Sequence, residues 1–305
     1  GPGRADAERM AELVSTELGC RPEEILVCST GLIGIPLPMA PIESGTAALV
    51  AALADDGGTA AARAIMTTDT IRKEVVVEGA GFIVGGMAKG AAMLAPNMAT
   101  MLAVLTTDAE ATPEELLRAL RAGVSSSFNS LSVDGCTSTN DTVLLFASGL
   151  AGRVQPGALD AAVAEACGSL ARQMASDAEG ATKVVEVRIV GAASDDDATR
   201  AARKVAESNL CKCSWYGEDP YWGRIVSEIG SSGAAFDPDT VSVSYGGITV
   251  ASRGIACQHD ADGLKAVMAA PVIEIVADLG LGEGAGMILT NDLSHAYIDE
   301  NMRTS

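Results

Sequence analysis

Helical and strand-forming patterns alternate along this chain, and several of the strand patterns follow one another directly. Residues 240–245 alternate apolar and polar side chains, and Gly246-Gly247 joins them to residues 248–250, which is typical of a β-hairpin. Residues 272–279 and 285–290, joined by a Gly-rich turn, indicate a second hairpin. Because strands adjacent in sequence tend to pair antiparallel, the pattern favours an α+β fold with mixed, mainly antiparallel sheets over a parallel β-α-β winding.

The start of one helix is marked clearly at residue 112. Thr112 and Glu115 form a capping box, Pro113 occupies the first helical position, and Leu residues follow on one face. Gly123 is the predicted end of this helix. The same criteria predict further helices over residues 10–18 and 159–174 and from residue 195, and further strands over residues 74–78 and 184–190.

The charge balance limits the classes of partner. The chain has 305 residues, with 21 Lys and Arg against 40 Asp and Glu, a formal net charge of −19. This excess of negative charge repels nucleic acid and anionic membranes. Aromatic residues, at 3%, provide few platforms on which bases could stack. We therefore expect small-molecule partners, and neither nucleic acid nor a membrane.

Two stretches without charge, residues 25–42 and 90–107, approach the length of a membrane span. The first contains three Pro and the second a Pro-Asn pair, which a lipid-facing helix accommodates poorly. We expect both stretches to be buried strand-and-loop segments.

The seven Cys show no spacing typical of a disulfide framework or a metal site. Cys211 and Cys213 are the only close pair, and the chain has two His, so a structural zinc site is not expected. The N-terminal residues show no apolar run typical of a signal peptide. The sequence therefore predicts a cytoplasmic protein with reduced thiols and without a metal or other cofactor.

Residues 89–102 (KGAAMLAPNMATML) form the most unusual segment of the chain. Taken alone, Thr100 in this run is typical of a buried structural Thr. The segment closely resembles the self-cleaving region of the ornithine acetyltransferases, the bifunctional ArgJ-type glutamate N-acetyltransferases of the cyclic arginine pathway. Further segments resemble the same family in order along the chain: residues 28–34, 64–70, 134–141, 177–183, 219–224 and 292–297.

This resemblance implies a fold and a processing step. The family fold is an N-terminal-nucleophile-like α/β/β/α sandwich, called ArgJ/DmpA-like. The family precursor cleaves itself before its nucleophile, here between Ala99 and Thr100, so that residues 1–99 and 100–305 become an α-chain and a β-chain. The two pieces are expected to assemble as (αβ)2 or a higher homo-oligomer. Family precursors carry a further N-terminal segment before the point that matches Gly1.

The chemistry of the implied nucleophile follows from general principles. A Thr hydroxyl near its ordinary pKa is a weak nucleophile and needs a base. Cleavage would free the α-amine of Thr100, and such amines have a pKa of ~7.7–8.0, close enough to neutrality to accept the hydroxyl proton. Thr100 would then take an acetyl group from N2-acetyl-L-ornithine and pass it to L-glutamate in a ping-pong scheme. By the resemblance, the side chain of Thr30 and the backbone N–H of Gly31 stabilise the oxyanion.

The resemblance also implies residues that bind the amino-acid substrates. Lys89 matches a family Lys that offers its charge to a carboxylate, and Glu179 matches an acidic residue that pairs with the substrate ammonium. Without the family, a surface position for either side chain would be a reasonable alternative. The other matches are Thr67 and Thr68, between which the sequence does not decide, Asn301, and a terminal hydroxyl residue, Ser305 or Thr304.

Two positions depart from the family pattern: Cys213 replaces a Thr, and Tyr221 replaces an Asn. A Tyr ring in the substrate pocket would change which acyl donor or acceptor fits there. The sequence therefore leaves two alternatives to the family reaction. One is an acyltransferase or amidohydrolase acting on a different N-acyl amino acid, and the other is an inactive relative that is never cleaved.

Overall fold

The computed structural model describes residues 2–95 and 101–302 of the chain. Its helices are α1 (Pro2–Leu18), α2 (Met39–Ala51), α3 (Gly58–Ala64), α4 (Pro113–Ser126), α5 (Ala158–Ser176), α6 (Asp195–Ala206), α7 (Asn209–Tyr216), α8 (Trp222–Gly230), α9 (Ala261–Ala269) and α10 (His295–Asn301). Its strands are β1 (Lys73–Glu78), β2 (Ile83–Lys89), β3 (Leu102–Glu110), β4 (Thr142–Arg153), β5 (Val184–Ala192), β6 (Ser242–Tyr245), β7 (Ile248–Ser252), β8 (Ile255–Ala256), β9 (Val272–Asp278) and β10 (Gly284–Asn291).

The strands form two sheets. Sheet A has the order β1-β2-β3-β4, in which β3 and β4 are parallel and the other neighbours antiparallel. Sheet B has the order β10-β5-β9-β6-β7-β8, in which β5 and β9 are parallel. Together with the helices they form the α+β sandwich with mixed, mainly antiparallel sheets that the sequence predicts.

One of the two predicted hairpins is confirmed and the other is wrong. β6 and β7 pair antiparallel around Gly246-Gly247, where both glycines have positive φ. β9 and β10 do not pair with each other, because β5 lies between them. The Gly-rich connection bonds to β5 instead, since the N–H groups of Leu281 and Gly282 donate to the oxygen of Gly191. Periodicity in the sequence identifies a strand, but long-range packing of its two faces decides which other strands pair with it.

Each sheet buries one face against helices. α4 and α5 cover sheet A, whereas α6 and α8 contribute to the core of sheet B. Along β5, Val185, Val187 and Ile189 are fully buried, and the intervening Glu186 and Arg188 are partly exposed. This alternation is the two-residue period of a strand with one covered face, and it places the apolar side chains on the helix-covered side.

The uncharged segment of residues 25–42 is not buried as predicted. Residues 25–38 form a loop and residues 39–42 begin α2. In the loop, Leu26, Ile33 and Ile35 are more than half exposed. An uncharged composition lowers the cost of burial but does not supply a surface to pack against, and the described residues cover this loop poorly. Of the described helices, none is long and apolar enough to cross a bilayer.

Gly123 does not end α4, which continues to Ser126. The capping box at the start of this helix is confirmed: Thr112 Oγ1 accepts the N–H of Glu115, and Glu115 Oε2 accepts the N–H of Thr112. Gly123 lies where α4 packs on α5, and a Cβ there would stand 3.2 Å from Sγ of Cys167. The position is glycine because the two helices approach closely, rather than because a helix stops.

Two glycine substitutions test this interpretation. Gly168 lies in α5 with no atom within 4 Å of an added Cβ, so Gly168→Ala should raise the free energy of unfolding by about 0.5–1 kcal/mol through helix propensity alone. Gly123→Ala should lower it by about 1–3 kcal/mol, because the added methyl group forces α4 and α5 apart. Denaturant unfolding of both variants measures the difference. Equal stabilisation by both would show that the helix contact at Gly123 is loose.

Candidate active site

The predicted cleavage segment connects β2 to β3. Lys89, the last residue of β2, pairs with Leu102, the first residue of β3. The connecting segment therefore leaves and rejoins sheet A at the same end. Ala99, Thr100 and Ser305 lie outside the described residues, so the site is built from the groups that surround this connection.

A cavity of about 130 Å³ opens beside the β2–β3 connection. Thr30 and Gly31 line it from the loop before α2, Lys89 lines it from the end of β2, and Met101 lines it from the residue that follows Thr100 in the chain. Three of the predicted site residues therefore share one cavity with the covalent neighbour of the predicted nucleophile.

Asn140 holds the turn that carries Thr30 and Gly31. Its Nδ2 donates a hydrogen bond to the backbone oxygen of Ser29, and Ser138 Oγ donates to its Oδ1 at 2.9 Å. A bond to the residue before Thr30 restrains the peptide groups that follow. Fixed donor directions are what stabilisation of an oxyanion requires.

The loop of residues 133–142 contacts both flanks of the cleavage segment. On the upstream flank, Asp134 accepts the N–H groups of Met93 at 2.6 Å and of Leu94 at 3.0 Å. Met93 has a φ of 50°, a left-handed conformation that is uncommon for a residue with a side chain. On the downstream flank, the N–H of Thr142 donates to the oxygen of Met101 at 2.9 Å. One loop therefore fixes the two ends of the segment relative to each other.

Asp69 joins the Thr67-Thr68 loop to the end of β2. Its Oδ2 accepts the N–H of Thr67 at 3.1 Å, and its Oδ1 accepts the N–H of Gly90 at 2.7 Å. Gly90 directly follows Lys89, so this carboxylate brings the backbone of Thr67 close to the candidate substrate-binding Lys. The side chains of Thr67 and Thr68 are both exposed.

Asp69 also belongs to a buried ion network. Nζ of Lys73 lies 2.7 Å from Oδ1 of Asp69 and 2.5 Å from Oδ2 of Asp177, and none of these side chains is more than 5% exposed. Burial disfavours the charged form of Asp69, but hydrogen bonds from Gly90, Lys73 and Thr67 hold its pKa below the ordinary value. The stabilisation from this shift is complete above pH about 4 and is lost as the pH falls through the lowered pKa.

Glu179 and Asn301 are distant in sequence and meet in the structure. Nδ2 of Asn301, in α10, donates to Oε2 of Glu179 at 2.7 Å, and the N–H of Glu179 donates to the oxygen of Ala91 at 3.0 Å. Glu179 is therefore tied to the same connection as Lys89. Burial lowers the pKa of the Lys89 ammonium, while the carboxylates of Asp69 and Glu179 act in the opposite direction.

The polar groups that line the cavity are mainly hydrogen-bond donors. Thr30 offers a hydroxyl, Gly31 a backbone N–H, Asn140 an amide and Lys89 an ammonium. Within residues 2–95 and 101–302, no three His, Cys, Asp or Glu side chains are grouped as metal ligands would be. The arrangement is suited to binding a carboxylate or stabilising a developing oxyanion.

The two departures from the family pattern lie elsewhere on the molecule. Tyr221 precedes α8, its side chain is 56% exposed, and its ring packs next to Gly223. Cys213 is an exposed residue of α7. Neither lines the 130 Å³ cavity, so the cavity gives no reason to expect a changed substrate from these substitutions.

Sequence reasoning assigned no role to Asp69, Lys73, Asp134 or Asn140. Three of them lie in the family-like segments 64–70 and 134–141, but a shared segment does not reveal which of its side chains are buried. For Lys73 a signal existed: a Lys at the first position of a strand such as β1 is either exposed at the strand end or buried with a counter-charge. Only the tertiary contacts decide between the two.

Comparison with known proteins places the chain among close relatives. The model of the ArgJ family matches residues 1–304. The "Arginine biosynthesis bifunctional protein ArgJ" of Mycobacterium leprae is 48% identical over 99% of this chain and 76% of its own length, and that of Thermobifida fusca is 45% identical over 98% and 78%. The crystal structure of the arginine biosynthesis bifunctional protein from Bacillus halodurans is 36% identical and superposes with a TM-score of 0.61, covering 64% of this chain and 95% of that one.

The buried ion network leads to a stability prediction. Lys73→Met leaves two buried carboxylates without their cation, so it should lower the free energy of unfolding by about 3–5 kcal/mol. Arg72→Met is the matched control, because Arg72 is the neighbouring residue, is 44% exposed and pairs with Glu74 at the surface; it should cost less than about 1 kcal/mol. Urea unfolding at neutral pH compares the two. Similar losses in both variants would mean that the Lys73 pair adds no more than a surface pair.

Proposed function

Because the chain belongs to the ArgJ family, we propose that it transfers an acetyl group from N2-acetyl-L-ornithine to L-glutamate through an acetyl-Thr100 intermediate. It is an enzyme of arginine biosynthesis, as its curated relatives are by name. The observation that carries the proposal is the 130 Å³ cavity, which Thr30, Gly31 and Lys89 share with Met101, the neighbour of Thr100.

The proposed nucleophile becomes active when the chain cuts itself between Ala99 and Thr100. The freed α-amine of Thr100 accepts the hydroxyl proton as the oxygen attacks the acyl carbon. The hydroxyl of Thr30 and the N–H of Gly31 then face the oxygen that gains negative charge. Asn140, through its bond to Ser29, supports that turn in advance of the reaction.

The amino-acid part of each substrate is proposed to bind across the β2–β3 connection. Lys89 pairs with a carboxylate, and Glu179, held by Asn301, pairs with an ammonium. Asp69 keeps the Thr67 loop beside them. Ser305, which matches the terminal hydroxyl residue of the family, is proposed to bind the substrate together with these residues. Opposite charges on the two sides suit a zwitterionic amino acid better than a neutral acyl compound.

After cleavage, residues 1–99 and 100–305 are proposed to remain one protein. β2 belongs to the first piece and β3 to the second, and they pair antiparallel from Lys89↔Leu102 to Val84↔Thr107. Main-chain hydrogen bonds and the shared core then hold the pieces together. We further propose an (αβ)2 or higher assembly, and a cytoplasmic location in which its seven free thiols stay reduced.

Intact-mass measurement tests cleavage and acylation together. The purified protein should consist of a piece of 99 residues and a piece with the remaining 206 of the 305. Incubation with N2-acetyl-L-ornithine alone should add ~42 Da to the larger piece, and L-glutamate should remove it, as expected of a covalent intermediate.

Thr100→Ala should leave one uncut chain, whereas Thr106→Ala, at an exposed residue of β3, should be cut normally. Cleavage of the Thr100→Ala chain would remove Thr100 from the mechanism. Discharge of the adduct by water as fast as by glutamate would instead identify an amidohydrolase. An uncut wild-type chain would identify an inactive relative.

Lys89 is tested by its effect on substrate binding. Lys89→Met should raise the KM for the amino-acid substrates and lower kcat/KM by roughly 10–100-fold, because a charged hydrogen bond to the carboxylate is lost. Lys265→Met, at an exposed position of α9, should leave both constants unchanged. Steady-state kinetics of the cut enzymes gives the comparison. Unchanged KM values in Lys89→Met would place the substrate carboxylate elsewhere.

A further inference from the structure

The carboxylate of Asp141 is closed off from solvent and has no hydrogen-bond partner among the described residues. Both of its oxygens are buried and unpaired. A buried carboxylate without a partner is costly, so it persists in native proteins mainly where function requires it. Asp141 lies directly before β4, whose first residue, Thr142, pairs in register with Leu102.

The position of Asp141 relates it to the base of the proposed reaction. The backbone N–H of Met101 favours the charged form of the carboxylate, and Met101 lines the same cavity as Asp141. The nitrogen of Met101 is three covalent bonds from the α-nitrogen of Thr100. Covalent geometry therefore limits how far the α-nitrogen of Thr100 can lie from a carboxylate beside Met101.

Among the described residues, no cationic side chain forms an ion pair with the Asp141 carboxylate. Burial raises the pKa of Asp141 to about 7, and the Met101 N–H and Lys89 oppose this rise. Lys89 belongs to β2 and acts from a distance, without an ion pair. Arg121 of α4 lines the same cavity of about 270 Å³ as Asp141, and its side chain makes no ion pair with the carboxylate either. An α-ammonium would supply the missing charge at close range.

The other carboxylates around the cleavage segment already have partners. Asp134 accepts the N–H groups of Met93 and Leu94, Asp69 accepts those of Thr67 and Gly90, and Glu179 accepts Asn301. Within the part of the chain that the structure describes, Asp141 is the carboxylate at this site that remains available.

We propose that Asp141 is the positioning residue for the base of the reaction: its carboxylate accepts a hydrogen bond from the freed α-amine of Thr100 and stabilises the ammonium form of that amine. This inference rests on the proposed function, because the α-amine exists only after cleavage. The nucleophile and the base are then both groups of Thr100, and Asp141 is the carboxylate that orients the base.

The proton balance of the step is simple. As Thr100 Oγ bonds to the acyl carbon, the hydroxyl proton moves to the α-nitrogen. As the carbon–nitrogen bond of the donor breaks, the same proton passes to the leaving amine. Asp141 gains and loses no proton, and it lowers the energy of the ammonium between the two events.

Three variants test the inference. Asp141→Asn keeps the shape of the side chain and removes its charge, whereas Asp141→Glu keeps the charge. Val143→Ala is the control, because it alters the same cavity and leaves the Asp141 carboxylate in place. After cleavage is checked by mass, rapid quench with N2-acetyl-L-ornithine gives the rate of acetyl-Thr100 formation as a function of pH. The Asn variant should acetylate about 100-fold more slowly, the scale of a lost acid–base contribution. Its rate should also rise at lower pH than in the wild type, because a nearby negative charge no longer favours the ammonium.

Asp141→Glu should restore the rate at least about tenfold over the Asn variant, and Val143→Ala should keep the wild-type pH profile. An Asn variant with an unshifted profile and a rate within about threefold of the wild type would overturn the inference. If the Asn variant is not cleaved, the Glu variant decides. A Glu variant that is cleaved and has the wild-type pH profile of acetylation supports the inference. A Glu variant that is not cleaved, or whose pH profile is displaced, overturns it. An uncut wild type overturns the proposed function and this inference with it, whereas a cut, active wild type with an unaffected Asn variant overturns this inference alone.

Discussion

The pairing of β2 with β3 is the constraint on which the candidate site depends. An antiparallel pair keeps opposite residues about 5 Å apart, so Lys89 and Leu102 hold both ends of the connecting segment at one end of sheet A. The candidate substrate-binding Lys and the residue that follows the candidate nucleophile cannot separate while the sheet is intact. Because Val84 and Leu105 are fully buried under α4 and α5, the sheet is itself anchored in the core.

Polar groups from three distant parts of the sequence bond to the backbone of that connection. Asp69 accepts the N–H of Gly90, and Glu179 donates its own N–H to the oxygen of Ala91. Asp134 accepts the N–H groups of Met93 and Leu94. Each contact satisfies a main-chain group that would otherwise be costly to bury. Together they define the path of the chain up to the cleavage segment before any substrate arrives, which is what a preorganised site needs.

Asp69 and Asp141 are residues of the same type that lie in two different environments of one site. Asp69 is surrounded by donors, and its pKa is held below the ordinary value, so it stays charged and acts as a fixed structural element. Asp141 is buried without such donors, and its pKa is raised to about 7. An unpaired buried carboxylate costs stability, and such sites are where reactive groups are commonly found.

The sequence by itself determined the Thr112 capping box, the β6–β7 hairpin and the positions of β1, β5, β6, β7, β9 and β10. It also contains the family-like segments through which Thr30, Gly31 and Lys89 are proposed as members of one site. These follow from patterns within a few residues or from contiguous motifs. Only the tertiary structure decided that β5 separates β9 from β10, that Gly123 accommodates a helix contact, and that Lys73 is buried between two carboxylates. The physical reason is that capping and periodicity act between near neighbours in the chain, whereas strand order, burial and the partners of a charge depend on residues that folding brings together from far apart.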